Sequence, residues 1–188
     1  MKKYRILAMG ASSSKSSINK QLAAFAASLV KDAEIDLIDL NDFEMQIYSI
    51  DRERENGIPD KALQFRKHIN DSDGIIISLA EHNGAYTAAF KNIMDWASRI
   101  GKDLWDHKPM LLMATAPGLR GGQTILEIAA AKFVFMGGNI IGTFSLPKFH
   151  ENFSDEFGIQ IPELDEELRL KITEFDSALK SIESKAHV

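Results

Sequence analysis

The sequence predicts an α/β fold of three layers, a five-stranded parallel sheet of order 2-1-3-4-5 with helices on both faces. Three observations lead to it. Apolar, β-rich runs alternate with helical patterns along the chain, the arrangement from which parallel sheets with crossover helices are built. The run Gly74–Leu79 (GIIISL) is apolar at nearly every position, so both of its faces need cover, which describes a central strand. The third observation is the stretch 9–19, MGASSSKSSIN, where an extended segment breaks at Gly10 into a hydroxyl-rich loop that runs into a helix.

Residues 4–10 form the first strand, and 17–31 read as an amphipathic helix with Leu22, Phe25, Ala26, Leu29 and Val30 at helical spacing. Residues 34–40 alternate acidic and apolar side chains, as a strand near a sheet edge would. Asp39, at its end, is the nearest thing to a dinucleotide-binding acid. No G-x-G-x-x-G precedes it, which favours a solvated face. Residues 41–57 show no clear period. They mix Phe43, Met45, Ile47 and Tyr48 with the charged run 51–55, and are expected to be a loop, either solvated or a binding or subunit surface. Pro59 suits the first turn of a helix that continues through Ala62, Leu63, Phe65, Arg66 and Ile69. After the third strand come a helix over 87–100, a strand over 108–115, a helix over 123–136 and a strand over 139–145. Residues 147–162 look irregular, and 163–184 close the chain as a helix with Leu164, Leu168, Ile172, Phe175 and Leu179 on one face.

At 188 residues, 45% hydrophobic and 26% charged, the chain (1–188) is expected to be one domain. The absence of cysteine excludes disulfides and a thiolate nucleophile, and it fits a reducing cytoplasm. No apolar run approaches the ~18 residues of a membrane span, and Met-Lys-Lys leads into a strand instead of a signal peptide. A net charge of −5 does not suggest nucleic acid as a partner.

The loop at 9–19 sits between a strand end and a helix N-terminus, where the first amides lack intrahelical acceptors and the macrodipole is positive. Ser12, Ser14, Ser17 and the amide of Asn19 add donors, a set suited to a phosphate monoester held without a metal. The second loop, 80–86 (AEHNGAY), brings Glu81, His82 and Asn83 to the carboxyl end of the third strand. The two loops flank the topological switch point of a 2-1-3-4-5 sheet. A third turn at the same edge, 116–122 (APGLRGG), carries three glycines. These let amides approach a flat ligand, serve a tight turn with positive φ, or do both. Trp96 reads as packing, in the core or at a subunit interface, in preference to ring stacking.

The stretches GASSSKSSIN, AEHNGAYTAAFKNIMDWAS and ATAPGLRGG together resemble the NAD(P)H-dependent FMN reductases, a family of flavodoxin-like proteins that includes bacterial quinone, azo-dye and chromate reductases. Glu81, Asn83, Gly84, Lys91, Asn92, Asp95 and Trp96 fall in register with the family's P-E-Y-N-G-S and K-N-x-x-D-W, and Ser12, Ser17 and Asn19 with its phosphate loop. The resemblance implies a flavodoxin-like fold, FMN as cofactor and NADPH or NADH as electron donor. It implies that Ser12, Ser14, Ser17, Ile18 and Asn19 hold the FMN phosphate. Glu81, His82, Asn83, Gly84 and Ala85 on one side, and Thr115, Ala116, Pro117, Gly118, Gly121 and Gly122 on the other, would bracket the isoalloxazine ring. Ala11 replaces the usual glycine, Ser14 stands where arginine is frequent with Lys15 beside it, and Ala80 and His82 replace proline and tyrosine.

In such a protein the flavin carries the redox step, so ping-pong turnover is expected, with quinones, azo compounds or free flavin as small-molecule acceptors. No catalytic acid or base is assigned. His82 is the candidate, as a proton donor or as a packing residue, and no metal is called for. The resemblance also implies a homodimer or homotetramer in which the 41–57 loop and the 87–99 helix reach a neighbouring subunit, consistent with exposed Phe43, Tyr48 and Trp96. An electron-carrier flavodoxin and a non-enzymatic phospho-ligand-binding protein are the alternatives. Met9-Gly10 and Leu79-Ala80 stand where a receiver module needs acids, which argues against that reading.

Overall fold

The computed structural model describes residues 3–186. Along the chain come β1 (Tyr4–Ala11), α1 (Ile18–Ser28), β2 (Ala33–Ile38), a 3-10 turn (Leu40–Phe43), α2 (Ile50–Asn56), α3 (Asp60–Asp71), β3 (Gly74–Leu79), a short hairpin of β4 (Glu81–His82) and β5 (Ala85–Tyr86), and α4 (Ala88–Ala97). There follow β6 (Pro109–Thr115), α5 (Gln123–Phe133) with a 3-10 extension (Val134–Met136), β7 (Asn139–Leu146), α6 (Phe149–Asn152), a second hairpin of β8 (Phe153–Ser154) and β9 (Gly158–Ile159), and α7 (Pro162–Ala186). The main sheet has the order β2-β1-β3-β6-β7, and all four of its pairings are parallel. That is the expected 2-1-3-4-5 order with a hairpin inserted after the third strand.

Side chains alternate along a strand, so each central strand feeds two cores. Leu7, Met9, Ile75, Ile77, Leu112 and Ala114 pack with α3, α4 and α5 through Phe65, Phe90 and Ile125. Ile6, Ala8, Ile76, Leu111 and Met113 pack with α1 and α7 through Leu22, Ala26, Ile172 and Phe175. Every residue of β3 and β6 is buried. At about 1.5–3 kcal/mol for each large apolar side chain, that burial outweighs any local propensity and fixes which strands are central. The edge strand β2 buries only Ile38.

Three expectations are corrected. The charged run 51–55 lies in α2, which buries no residue and is capped by the Ser49 hydroxyl accepting from the Arg52 amide (3.2 Å). Residues 147–162 are not wholly irregular, since α6 and the second hairpin occupy them. Phe43 and Trp96 are not exposed; they retain 4% and 2% of their surface, so they pack within the chain and are not free for a neighbour.

The strap at 45–48 explains the burial of Trp96. Its indole Nε1 donates to the Gln46 carbonyl (2.7 Å) and its ring meets Tyr48 edge-on at 5.1 Å. Asn92 donates to the Met45 and Gln46 carbonyls (3.2 Å each) and accepts from the Tyr48 amide (2.9 Å). Asn92 and Trp96 of the K-N-x-x-D-W stretch therefore clamp the strap to α4, and Lys91 and Asp95 pair along the helix surface at 2.6 Å.

Candidate functional site

Three turns leave the carboxyl edge of adjacent strands. Ala11 is level with Leu79 on β3, and Leu79 with Ala114 on β6. The first turn therefore begins about one strand spacing, ~4.8 Å, from the second, and the second as far from the third. Side chains then lock the turns together. Asn19, 3% exposed, donates from Nδ2 to the Thr115 carbonyl (3.1 Å), while its Oδ1 accepts from the Thr115 amide (3.0 Å) and the Ser78 hydroxyl (2.7 Å). Thr87 caps α4 by accepting from the Phe90 amide (3.2 Å) and donates to the Ala11 carbonyl (2.9 Å). Thr115 closes the far side by donating to the Leu146 carbonyl (2.7 Å).

The first turn is held by its own hydroxyls. The Ser12 side chain accepts from the Ser14 amide (3.1 Å), and buried Ser17 caps α1 by accepting from the Lys20 amide (3.1 Å). The Gln21 amide is taken by the Ser17 carbonyl, which leaves Ile18 and Asn19 with the first-turn amides that have no acceptor inside the helix. The Ser14 side chain is exposed and Ile18 is half-buried. Gly10 lets the helix come this close, because a Cβ there would sit 2.3 Å from the Lys20 nitrogen. The Lys20 ammonium lies 2.6 Å from Asp39. That bond, with help from the Asn41 amide, holds the Asp39 carboxyl below its ordinary value, so the charge of Lys20 is already matched. Lys15 is exposed.

The second turn is a hairpin. Asn83 and Gly84 both have positive φ, 53° and 73°, the signature of the tight two-residue turn that matches strand twist. His82, Asn83 and Ala85 are exposed, while Glu81 is half-buried and points its carboxylate at α5. Its Oε2 accepts from the Ile125 amide (3.0 Å), a cap that Gly122, the residue before α5, has no side chain to supply. Burial pushes the hydroxyl of Tyr86, at the foot of the hairpin, up to about 12, and its oxygen has no hydrogen-bond partner.

In the third turn Thr115, Gly121 and Gly122 are buried, Ala116 is half-buried, and Pro117 and Gly118 are exposed. Gly121 (φ 56°) is obligatory, since a Cβ would meet the Ser145 hydroxyl at 2.4 Å and the Pro147 nitrogen at 2.9 Å. The tight-turn reading of these glycines holds at Gly121, while a Cβ at Gly118 would face open space.

All sixteen expected site residues thus lie in these three turns or at the adjoining ends of the strands and helix that flank them. The sequence reading missed Ser78 and Thr87, which tie the turns together. A lone serine inside an apolar strand signals a buried polar group that must find a partner. A cavity of about 590 Å³ lies beside the crevice, between residues 40–47 and α4, with Ser13 on its rim and Leu40, Phe43, Met45 and Ile93 in its wall. Among the described residues no group of three or more His, Cys, Asp or Glu is placed to hold a metal, and no helix is long and apolar enough to cross a membrane.

Residues 4–151 match the family model described as NADPH-dependent FMN reductase. The chain is 36% identical over 107 residues to a 2-hydroxy-1,4-benzoquinone reductase from Burkholderia sp, covering 56% of each chain. It is 30% identical over 124 residues to an NADPH:quinone oxidoreductase from Arabidopsis thaliana, covering 64% of this chain and 62% of the relative, so it spans somewhat over half the length of each. The solved structure of FerB, a flavoenzyme NAD(P)H:(acceptor) oxidoreductase from Paracoccus denitrificans, shares the fold with a TM-score of 0.76 at 22% identity, covering 95% of this chain and 98% of that one.

Proposed function

The chain belongs to the NADPH-dependent FMN reductase family, and from that premise we propose that it is an FMN-dependent oxidoreductase that takes electrons from NAD(P)H and passes them to small acceptors of the quinone class. The observation that carries the site assignment is the locked arrangement of the three turns, which leaves hydroxyls and free amides on one side of the crevice and glycine backbone on the other. The donor set fits FMN. Ser12, Ser14 and Ser17 with the amides of Ile18 and Asn19 supply neutral donors to a phosphate monoester, and exposed Lys15 supplies charge. Glu81, His82, Asn83, Gly84 and Ala85 would form one wall, and Thr115, Ala116, Pro117, Gly118, Gly121 and Gly122 the other.

FMN, when bound, supplies the redox chemistry, accepting a hydride from the nicotinamide and releasing the electrons to the second substrate. The work of this chain is to position and to give access. Asn19 and Thr87 hold the turns at fixed separation, so the donors need no reorganisation on binding. Exposed His82, Asn83, Pro117 and Gly118 leave the crevice open, which favours successive rather than simultaneous occupation by the two substrates and a broad choice of acceptor. His82 is the one ionisable group of the wall on the open side, and it would hold a proton for an acceptor that gains one.

In this reading residues 1–188 act as a single FMN-binding domain in the cytoplasm and assemble as a homodimer or homotetramer. Ile47, 73% exposed at the edge of the cavity between residues 40–47 and α4, supports such an assembly. The relatives' names include both NADPH and NAD(P)H, and quinones as acceptors. The test is to titrate the protein with FMN, reduce the loaded protein anaerobically with NADPH and with NADH, and mix it with a quinone, an azo dye or free FMN. The expected result is two separable phases and parallel initial-rate plots. A protein that takes up no FMN, or whose FMN neither nucleotide reduces, overturns the proposal.

A further inference from the structure

Arg120 stands in the third turn with its guanidinium 2.9 Å from the Thr124 hydroxyl, a neutral partner. Arg5, Arg66, Arg99 and Arg169 each meet a carboxylate, whereas among the described residues no ion pair joins Arg120 to an acid. Lys148 lies beside it. The Lys148 amide donates to the Gly118 carbonyl (3.0 Å) and the Phe149 amide to the Ala116 carbonyl (3.1 Å), which pins this segment to the turn that carries Arg120. Lys148 has φ 48°, in the left-handed region where a long L side chain is strained, and such strain gathers at ligand-binding positions. Its ammonium sits 2.8 Å from Glu151 in a solvent-exposed pair, which holds little and is free to exchange for another anion.

In a chain of net charge −5, two weakly matched cations thus stand on adjoining segments at one end of the crevice. A guanidinium with an ammonium is a donor set for a phosphate dianion. That phosphate is not the one assigned to the first turn, because β7, which leads to Lys148, is three strand spacings, roughly 14 Å, from β1. The two nicotinamide nucleotides differ by one phosphate, on the adenosine ribose. We propose that Arg120 and Lys148 form the subsite that recognises the 2′-phosphate of NADPH and makes this chain select NADPH over NADH. The proposal rests on the NAD(P)H oxidoreductase reading above.

The test uses the FMN-loaded protein and the variants Arg120→Gln, Lys148→Asn and both together. Asparagine tolerates the left-handed backbone, so the charge of Lys148 is removed with the fold kept. Stopped-flow flavin reduction gives the NADPH/NADH ratio of kcat/KM, and calorimetry gives binding of adenosine 2′,5′-bisphosphate and of AMP. In the double variant the ratio is expected to fall roughly tenfold to hundredfold, the range that lost charge-assisted hydrogen bonds produce. Affinity for the bisphosphate should fall in parallel while that for AMP does not change. An unchanged ratio, or an equal loss for both nucleotides, overturns the subsite. Should neither nucleotide reduce the flavin, the oxidoreductase reading fails instead, and the bisphosphate titration still decides whether these two cations bind the 2′-phosphate.

Discussion

Replacing Asn19 by alanine separates a structural clamp from a ligand. The side chain is buried and makes three hydrogen bonds, one from Nδ2 to the Thr115 carbonyl and two at Oδ1 from the Thr115 amide and the Ser78 hydroxyl. Each is worth about 1 kcal/mol net, and deletion leaves three buried groups seeking partners at about 1–3 kcal/mol apiece before water or repacking offsets part of the loss. Alanine returns about 0.5 kcal/mol in helix propensity. The expected loss is about 3–4 kcal/mol, or a melting temperature lower by roughly 6–16 °C for a domain of this size. The assay is urea and thermal unfolding of the FMN-free protein, with FMN affinity measured separately by fluorescence. The reasoning is refuted if the FMN-free variant keeps its stability to within about 0.5 kcal/mol.

Three other outcomes are expected. Gly121→Ala, which forces a Cβ into the left-handed region and against Ser145 and Pro147, should cost roughly 2–4 kcal/mol and depress FMN uptake, whereas Gly118→Ala, facing open space, should cost under about 0.5. Tyr86 ionises near pH 10 in the unfolded chain but at about 12 when folded, so its contribution is intact below about pH 10 and is lost as pH rises toward 12. Because the group is only partly buried, the loss is about 1–2 kcal/mol; Tyr86→Phe should flatten that alkaline decline in denaturant titrations and be neutral or stabilising at pH 7. His82→Ala should lower turnover by less than about 100-fold, short of what removal of an obligatory general acid costs, and near-complete inactivity with FMN still bound would contradict it.

The sheet was legible because its central strands are buried on both faces, and an apolar run such as GIIISL admits few other placements. The three turns were legible because they follow those strands at the carboxyl edge. What escaped was held by polar contacts instead of apolar periodicity. Helix α2 buries nothing and so leaves no stripe; its Ser49 cap and the Tyr48–Glu53 and Arg99–Glu53 bonds keep it in place. The β4–β5 hairpin has two residues per strand, too few to show alternation, although Asn83-Gly84 carried the turn signal. Phe43 and Trp96 fell in or against a stretch without period; Phe43 is buried edge-on against Phe65 of α3, and Trp96 by the strap laid across α4.

The cap of α5 belongs to another element. Since the Glu81 carboxylate satisfies the Ile125 amide across the crevice, any outward swing of the hairpin strips the opposing helix of its terminal acceptor and frays the turn that precedes it. The hairpin and the start of α5 are therefore mechanically coupled, since loosening either one removes a hydrogen bond that holds the other.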